Sequence, residues 1–386
     1  MTGCALLSLT YACKPAAPKQ EPADTTAVQE NVYYLTIGTY NVNAGTDTAI
    51  WVYRFNTSDG IFSKVSGFSG INNPSYMAWG PDTDYLYAVS ENGTAESRLN
   101  ALQFDKTTES FALLNSEPTA GADPCFVSVA PDGRFAITAD YSGGSVSVFP
   151  ILSDGKLGAR SQEFRYTGAG YNPARQQSPH LHTVRFTPDS SLLLATDLGL
   201  DRIYTYRVNK NDSGYLVADT TTTLQMTAGS GPRHMAFAPN TPFIYVINEL
   251  SGMVSVIKNE NGHLELIQEI EADTLHAAGS ADIHISPDGN YLYASNRLKG
   301  DGITIFHIAP DGRLTKVGYQ PTGRHPRNFV ITPDGKYLLT ACRDDNRVEI
   351  YRIDRQTGKL TLQPQIIPIA APVCLLVSQI GDKQTI

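Results

Sequence analysis

Six copies of one signature, an apolar strand, a Pro-Asp or Pro-Asn turn and a second apolar strand, recur about fifty residues apart and predict an all-β chain. The fold class is a seven-bladed β-propeller with four antiparallel strands per blade. Its ring is closed by one C-terminal strand joined to three N-terminal strands. The copies are PSYMAWGPDTDYLYAVSE, PCFVSVAPDGRFAITADY, HTVRFTPDSSLLLATDL, PRHMAFAPNTPFIYVINE, ADIHISPDGNYLYASNR and PRNFVITPDGKYLLTACR. Their turn prolines, Pro81, Pro131, Pro188, Pro239, Pro287 and Pro333, are separated by 50, 57, 51, 48 and 46 residues. Pro presets φ at the first corner of such a turn, and Gly accepts the strained position that follows.

Each blade reads in the same order. Four residues before the proline stand Met77, Val127, Val184, Met235, Ile283 and Phe329; two before it stand Trp79, Val129, Phe186, Phe237, Ile285 and Ile331. Apolar residues at period two mark a strand packed on a neighbouring sheet. Two further strands follow, as in ITIFHIA then LTKVGYQ. The chain ends supply the seventh blade: 372–377 (PVCLLV) matches a first strand and 34–40 (YLTIGTY) a second. IWVYRFN and FSKVSGF then match the third and fourth.

Composition agrees. Gly (32), Pro (23) and Tyr (20) outnumber Trp (2) and Met (5), which suits short strands and tight turns. A net charge of −8 without a basic run argues against a nucleic-acid partner. The first twelve residues are small or apolar and precede Cys13; 14–31 is a polar, Pro/Ala-rich stretch with nothing to bury. The reading is a lipoprotein-type signal segment over 1–13 with Cys13 lipidated, a disordered tether over 14–31, the propeller over 32–379 and a tail over 380–386. That places the protein in the cell envelope, held to the membrane only by a lipid anchor, with a cytoplasmic protein as the alternative. A monomer is favoured. No other stretch approaches the roughly 18 apolar residues of a membrane span. Cys125, Cys342 and Cys374 show no CxxC pairing and are expected as buried free thiols, a Cys342–Cys374 bridge being the lesser alternative.

The start of each first strand and the end of each second lie at the same mouth of the channel. Six before the proline the column reads Ser75, Cys125, His182, Arg233, Ala281 and Arg327; ten after it, Glu91, Tyr141, Leu198, Glu249, Arg297 and Arg343. A charged, non-repeating ring on a repetitive scaffold is expected where a site has been grafted onto a fold. No metal-ligand spacing such as HExxH or an EF-hand loop is present.

The motifs SPHLHTVRFTPD, GPRHMAFAPN, YVINE, ADIHISPDGNYLYASNR and HPRNFVITPDG together resemble the lactonase family of seven-bladed propellers, over about residues 33–378. That family includes a bacterial type of 6-phosphogluconolactonase and a fungal carboxymuconate-lactonizing enzyme. The resemblance implies a metal-independent, cofactor-free enzyme. It implies catalytic residues at His180 or His182, Arg233, Glu249 and Arg297, the last being the loosest match. The function expected is hydrolysis of a sugar lactone, 6-phospho-D-glucono-1,5-lactone, a pentose-phosphate intermediate. A muconate-type lactonizing cycloisomerase is one alternative, and a non-catalytic propeller binding a glycan or protein is another. In the physical reading, Arg stabilises the tetrahedral oxyanion, Glu249 activates water and His182 protonates the leaving oxygen, or Glu and His exchange roles. His180, His284, Arg327, Asn328, Arg343 and Glu91 are candidates for holding an anionic substrate. Each also has a plainer reading: a salt bridge for Glu249, packing for His284 and His234. His263, His276 and His307 are expected to be solvated.

Overall fold

The fold is described from a computed structural model over residues 1–3, 31–41, 45–93, 97–209 and 214–380. Cys13, and with it the expected lipidation, lies outside the described residues, as do nearly all of the tether and tail. The described residues form seven four-stranded antiparallel sheets and one short 3-10 turn, Arg343–Asp345. No helix among them is long and apolar enough to cross a membrane.

Blades 1 to 6 span 77–118, 124–165, 181–225, 232–271, 283–321 and 326–368. Blade 7 is ordered Pro372–Gln379, Val32–Thr39, Ile50–Asn56, Ile61–Phe68 from the inside outward. Its closing register pairs Tyr33 with Gln379 and Ile37 with Leu375. Both chain ends therefore build one sheet, as the one-plus-three reading expects.

The core is divided into layers between blades rather than gathered at one centre. Ile137 and Val148 of blade 2 pack on Val184 and Leu193 of blade 3, and Tyr293 and Ile305 of blade 5 on Phe329 and Leu338 of blade 6. The period-two positions before each proline feed these layers. Phe329 is fully buried, so its truncation to Ala costs about 3–5 kcal/mol. At the far mouth, Gly133, Gly289 and Gly335 follow their Pro-Asp corners at φ +72°, +77° and +66°. Where Gly is absent, Thr83 and Ser190 hold the same left-handed conformation.

One irregularity governs the site. In blades 2, 3, 4, 6 and 7 the inner strand bulges near its start. Pro232 pairs with Asn248 and His234 with Ile247, which leaves Arg233 with no partner across the ladder. Cys125, His182 and Arg327 are left over in the same way. A bulge frees a residue from the alternation of the strand and re-aims its side chain. One residue further in, side chains meet across the channel. Tyr76 of blade 1 stacks on Phe126 of blade 2 at 3.8 Å between centroids, and both meet the edge of His234 from blade 4. Blades 1 and 4 are not neighbours, so this contact crosses the channel and closes it beneath the bulges.

Candidate active site

Glu249 follows the second strand of blade 4, and its N–H donates to Gly231 O at 2.7 Å, which fixes the end of the hairpin. Arg233 stands opposite on the bulge. Arg233 Nε donates to Glu249 Oε2 at 2.9 Å, and Arg297 Nη2 lies 3.3 Å from the same oxygen. Arg175 Nη2 donates to Oε1 at 2.7 Å. Two of these guanidinium groups are fixed from behind: Arg233 Nη1 donates to Ala281 O, and Arg297 Nε to Gly279 O at 2.7 Å.

Burial alone would raise the Glu249 carboxyl, but Arg297, Arg233 and Arg175 outweigh it and hold the group at about 2. Arg297 is buried among further arginines, and these effects together pull it down to about 9 against the attraction of Glu249. It stays charged at neutral pH. Glu249 Oε1 keeps a lone pair for a water or substrate.

His182 is buried, and burial followed by the charge of Arg233 holds its pKa well below the usual imidazole value. Its Nδ1 lies 3.6 Å from Cys125 Sγ, and its ring meets Tyr141 and His234 edge-on. A neutral imidazole keeps one N–H to donate but lacks the more acidic proton of an imidazolium, which makes His182 a weaker acid than the sequence reading expects. His180 is half-buried and stacks on Tyr141 at 4.4 Å, and Arg175 Nη2 approaches the Tyr141 hydroxyl at 3.5 Å.

The other half of the rim crosses the ring closure. Arg327 Nη2 of blade 6 pairs with Glu91 Oε2 of blade 1 at 3.1 Å, while Tyr40 after the blade 7 strand donates to the same oxygen at 2.9 Å. The Arg327 guanidinium lies over the Tyr40 ring at 5.3 Å. Arg343 Nη2 lies 3.1 Å from His325 Nδ1, and Arg297 Nη1 lies 3.3 Å from His325 Nε2. Burial, Arg297 and Arg343 push His325 down to about 3, so it is neutral. A neutral imidazole accepts at one nitrogen only. His325 therefore bonds one of these arginines at a time.

Two expected substrate contacts are otherwise engaged. Asn328 Nδ2 donates to Asp282 Oδ2 at 2.5 Å and its Oδ1 accepts from Leu375 N at 2.7 Å, so both polar ends are spent inside the fold. His284 Nε2 lies 3.1 Å from the same Asp282 oxygen. Their place is structural, beneath the site. His263, His276 and His307 are exposed.

Arg175, Tyr40, His325 and Asp282 were not singled out in the sequence. Arg175 lies on the connection into blade 3, behind the widest proline spacing of 57 residues, which was its one signal. The connection is pinned by buried Gln176, whose Nε2 donates to Leu198 O and Asp201 Oδ1, both at 2.8 Å. Cys125, Cys342 and Cys374 are buried free thiols, so no Cys342–Cys374 bridge forms. Among the described residues, no group of three His, Cys, Asp or Glu is arranged to hold a metal ion.

Five arginines (175, 233, 297, 327 and 343) face three carboxylates (Glu249, Glu91 and Asp344) on this rim, an excess of two positive charges on an acidic protein. Fold and site together define a β-propeller with an arginine-caged carboxylate at one mouth of its channel, suited to a small anionic ligand. The profile of the lactonase seven-bladed β-propeller family matches residues 34–377, and the chain belongs to that family. It is 32% identical over 347 residues to a 6-phosphogluconolactonase of Bacillus subtilis, covering 88% of this chain and 96% of the relative. A crystal structure from Bacteroides fragilis, of a protein proposed to be a 6-phosphogluconolactonase, superposes with a TM-score of 0.87 at 43% identity, covering 93% of this chain and 100% of the other. The periplasmic gluconolactonase of Pseudomonas aeruginosa superposes at 0.84 with 30% identity, covering 91% and 100%.

Proposed function

We propose that this chain hydrolyses a sugar lactone, 6-phosphogluconolactone first among candidates, at the rim around Glu249. The observation that carries the reading is one carboxylate gripped by three arginines on the scaffold of the lactonase family. Water attacks the lactone carbonyl and charge develops on its oxygen, where fixed Arg N–H donors stabilise it. Glu249 Oε1 takes the water proton. Its basicity is low while three arginines hold it, and rises as the oxyanion takes up the positive charge of Arg233 and Arg297 where they stand. When the ring C–O bond breaks, Glu249 passes that proton to the departing ring oxygen. The carboxylate is thereby restored, and the new carboxylic acid loses its own proton to solution. A single carboxylate completes the cycle without His182.

Three arginines around the single carboxylate of Glu249 leave two positive charges uncompensated, which supports an anionic substituent on the substrate, and Arg327 and Arg343, paired with Glu91 and Asp344, flank it. We also propose that the protein is a monomer anchored in the cell envelope through Cys13, in keeping with the periplasmic relative. The test uses the full chain and follows opening of 6-phosphogluconolactone and of glucono-1,5-lactone above the spontaneous rate. Acceleration that Glu249→Gln abolishes is the expected result. Folded protein that accelerates neither lactone sinks the proposal.

A further inference from the structure

Asp282 lies one layer below the rim and is almost wholly buried. It receives five hydrogen bonds. Its Oδ1 accepts from His234 Nδ1 at 2.7 Å and Ile283 N at 2.9 Å; its Oδ2 accepts from Asn328 Nδ2, His284 Nε2 and Phe329 N at 2.5, 3.1 and 3.2 Å. Blades 4, 5 and 6 thus converge on one carboxylate, and the Asn328 bond to Leu375 N brings in blade 7.

His234 stands between this carboxylate and the site. Its Nε2 lies 3.2 Å from Arg233 Nη1, and Arg233 Nε is bonded to Glu249. We infer that Asp282 and His234 are positioning residues of the reaction, a relay that fixes the guanidinium of Arg233 by holding the His234 imidazole in one tautomer. The alternative tautomer fails at both ends. With the proton on Nε2, a bare Nδ1 would face the Asp282 carboxylate, and an N–H would face the N–H of Arg233. With the proton on Nδ1, both contacts attract. A neutral ring is required throughout, and burial among the rings of Tyr76, Phe126 and His182 together with the charge of Arg233 keeps it so.

The relay leaves Arg233 only one orientation. Its Nη1 is held by His234 and Ala281 O, its Nε by Glu249, and Nη2 is the corner left for a reacting oxygen. A donor fixed before the reaction costs no reorganisation when charge appears.

The effect on rate rests on the lactonase reading, but the tautomer does not. In full-length protein carrying 15N-labelled histidine, the His234 ring is expected to be protonated at Nδ1 and bare at Nε2 at pH 7, and to change tautomer in Asp282→Asn. An Nε2–H form in the wild type overturns the relay. For the rate, the Gln amide sets one donor and one acceptor about as far apart as the two ring nitrogens. His234→Gln should therefore keep kcat within about threefold of the wild type, while His234→Leu loses about 100-fold in kcat with KM little changed, the cost of a donor displaced by about 1 Å. Equal losses in the two variants, or none in His234→Leu, overturn it. If the wild type opens no lactone, the lactonase reading fails while the labelled spectrum still decides the relay.

Discussion

Arg233 and Glu249 are joined at 2.9 Å across the two ends of one hairpin, the first on the bulge of the inner strand and the second just past its partner strand. The centre of the site is therefore built within blade 4, and Arg297 and Arg175 are added to it from neighbouring segments. Replacing Glu249 by Gln keeps the shape and removes the charge. It should lower kcat/KM at least about 100-fold. It should also cost about 3 kcal/mol in stability, because buried Arg233 and Arg297 lose their shared counter-charge. Steady-state kinetics and urea unfolding check the two effects.

Arg175 reaches the same carboxylate from a connection outside the blades, and its side chain is 38% exposed. Arg175→Ala should lower kcat/KM by about 10- to 100-fold. Its melting temperature should stay within about 2 °C of the wild type, a shift corresponding to less than about 1 kcal/mol in a chain of this size. A loss of activity matched by a large fall in melting temperature would assign Arg175 to the fold instead.

Arg343 is the more exposed of the two arginines that share His325, and its other partner, Asp344, is exposed as well, so Arg343 is the one placed to turn to a ligand. Arg343→Ala should raise KM for 6-phosphogluconolactone about tenfold, the loss of one charge-assisted contact, and leave KM for glucono-1,5-lactone unchanged. An equal rise for both lactones would place Arg343 away from the phosphate.

Three buried histidines make the fold acid-sensitive. His182 is held well below its usual pKa, and His234 and His325 at about 3. Their folded pKa values are depressed, so between about pH 6.5 and 3 only the unfolded chain binds the protons of His234 and His325, and His182 acts in the same direction. Stability is therefore lost as pH falls through that window, by about 1.4 kcal/mol per pH unit for each histidine. Urea midpoints between pH 6 and 5 measure the proton uptake, and His234→Gln should reduce it by about one proton.

The legible parts of this protein were those tied to the repeat. The bulge lies at a constant distance from the Pro-Asp turn, so counting six residues back found Arg233, His182 and Arg327 although nothing in the sequence announces a bulge. Ten residues forward found Glu249, Arg297 and Glu91 for the same reason. Arg175 lies on a connection, where no column exists; Tyr40 follows the second strand of blade 7 as Glu91 follows that of blade 1, but blade 7 has no turn proline to count from; and His325 falls eight before its proline, outside the columns compared. Asp282 did leave a signal: five before the proline, Tyr76, Phe126, Thr183, His234, Asp282 and Asn328 mix aromatic and polar residues where a packing column would be uniform. That mixture is the plug of the channel. Protonation states were not legible, because the burial that keeps His182 neutral comes from several blades at once.

The pair between Arg327 and Glu91 bridges 236 residues of sequence and sits beside Tyr40, while Asn328 is tied to the backbone of Leu375. These contacts need the strand Pro372–Gln379 in its place. A growing chain still attached to the ribosome thus carries every arginine of the rim long before it owns a pocket. Synthesis of the final strand becomes the moment at which the protein acquires its activity, and a chain cut short before that strand carries the residues without the site.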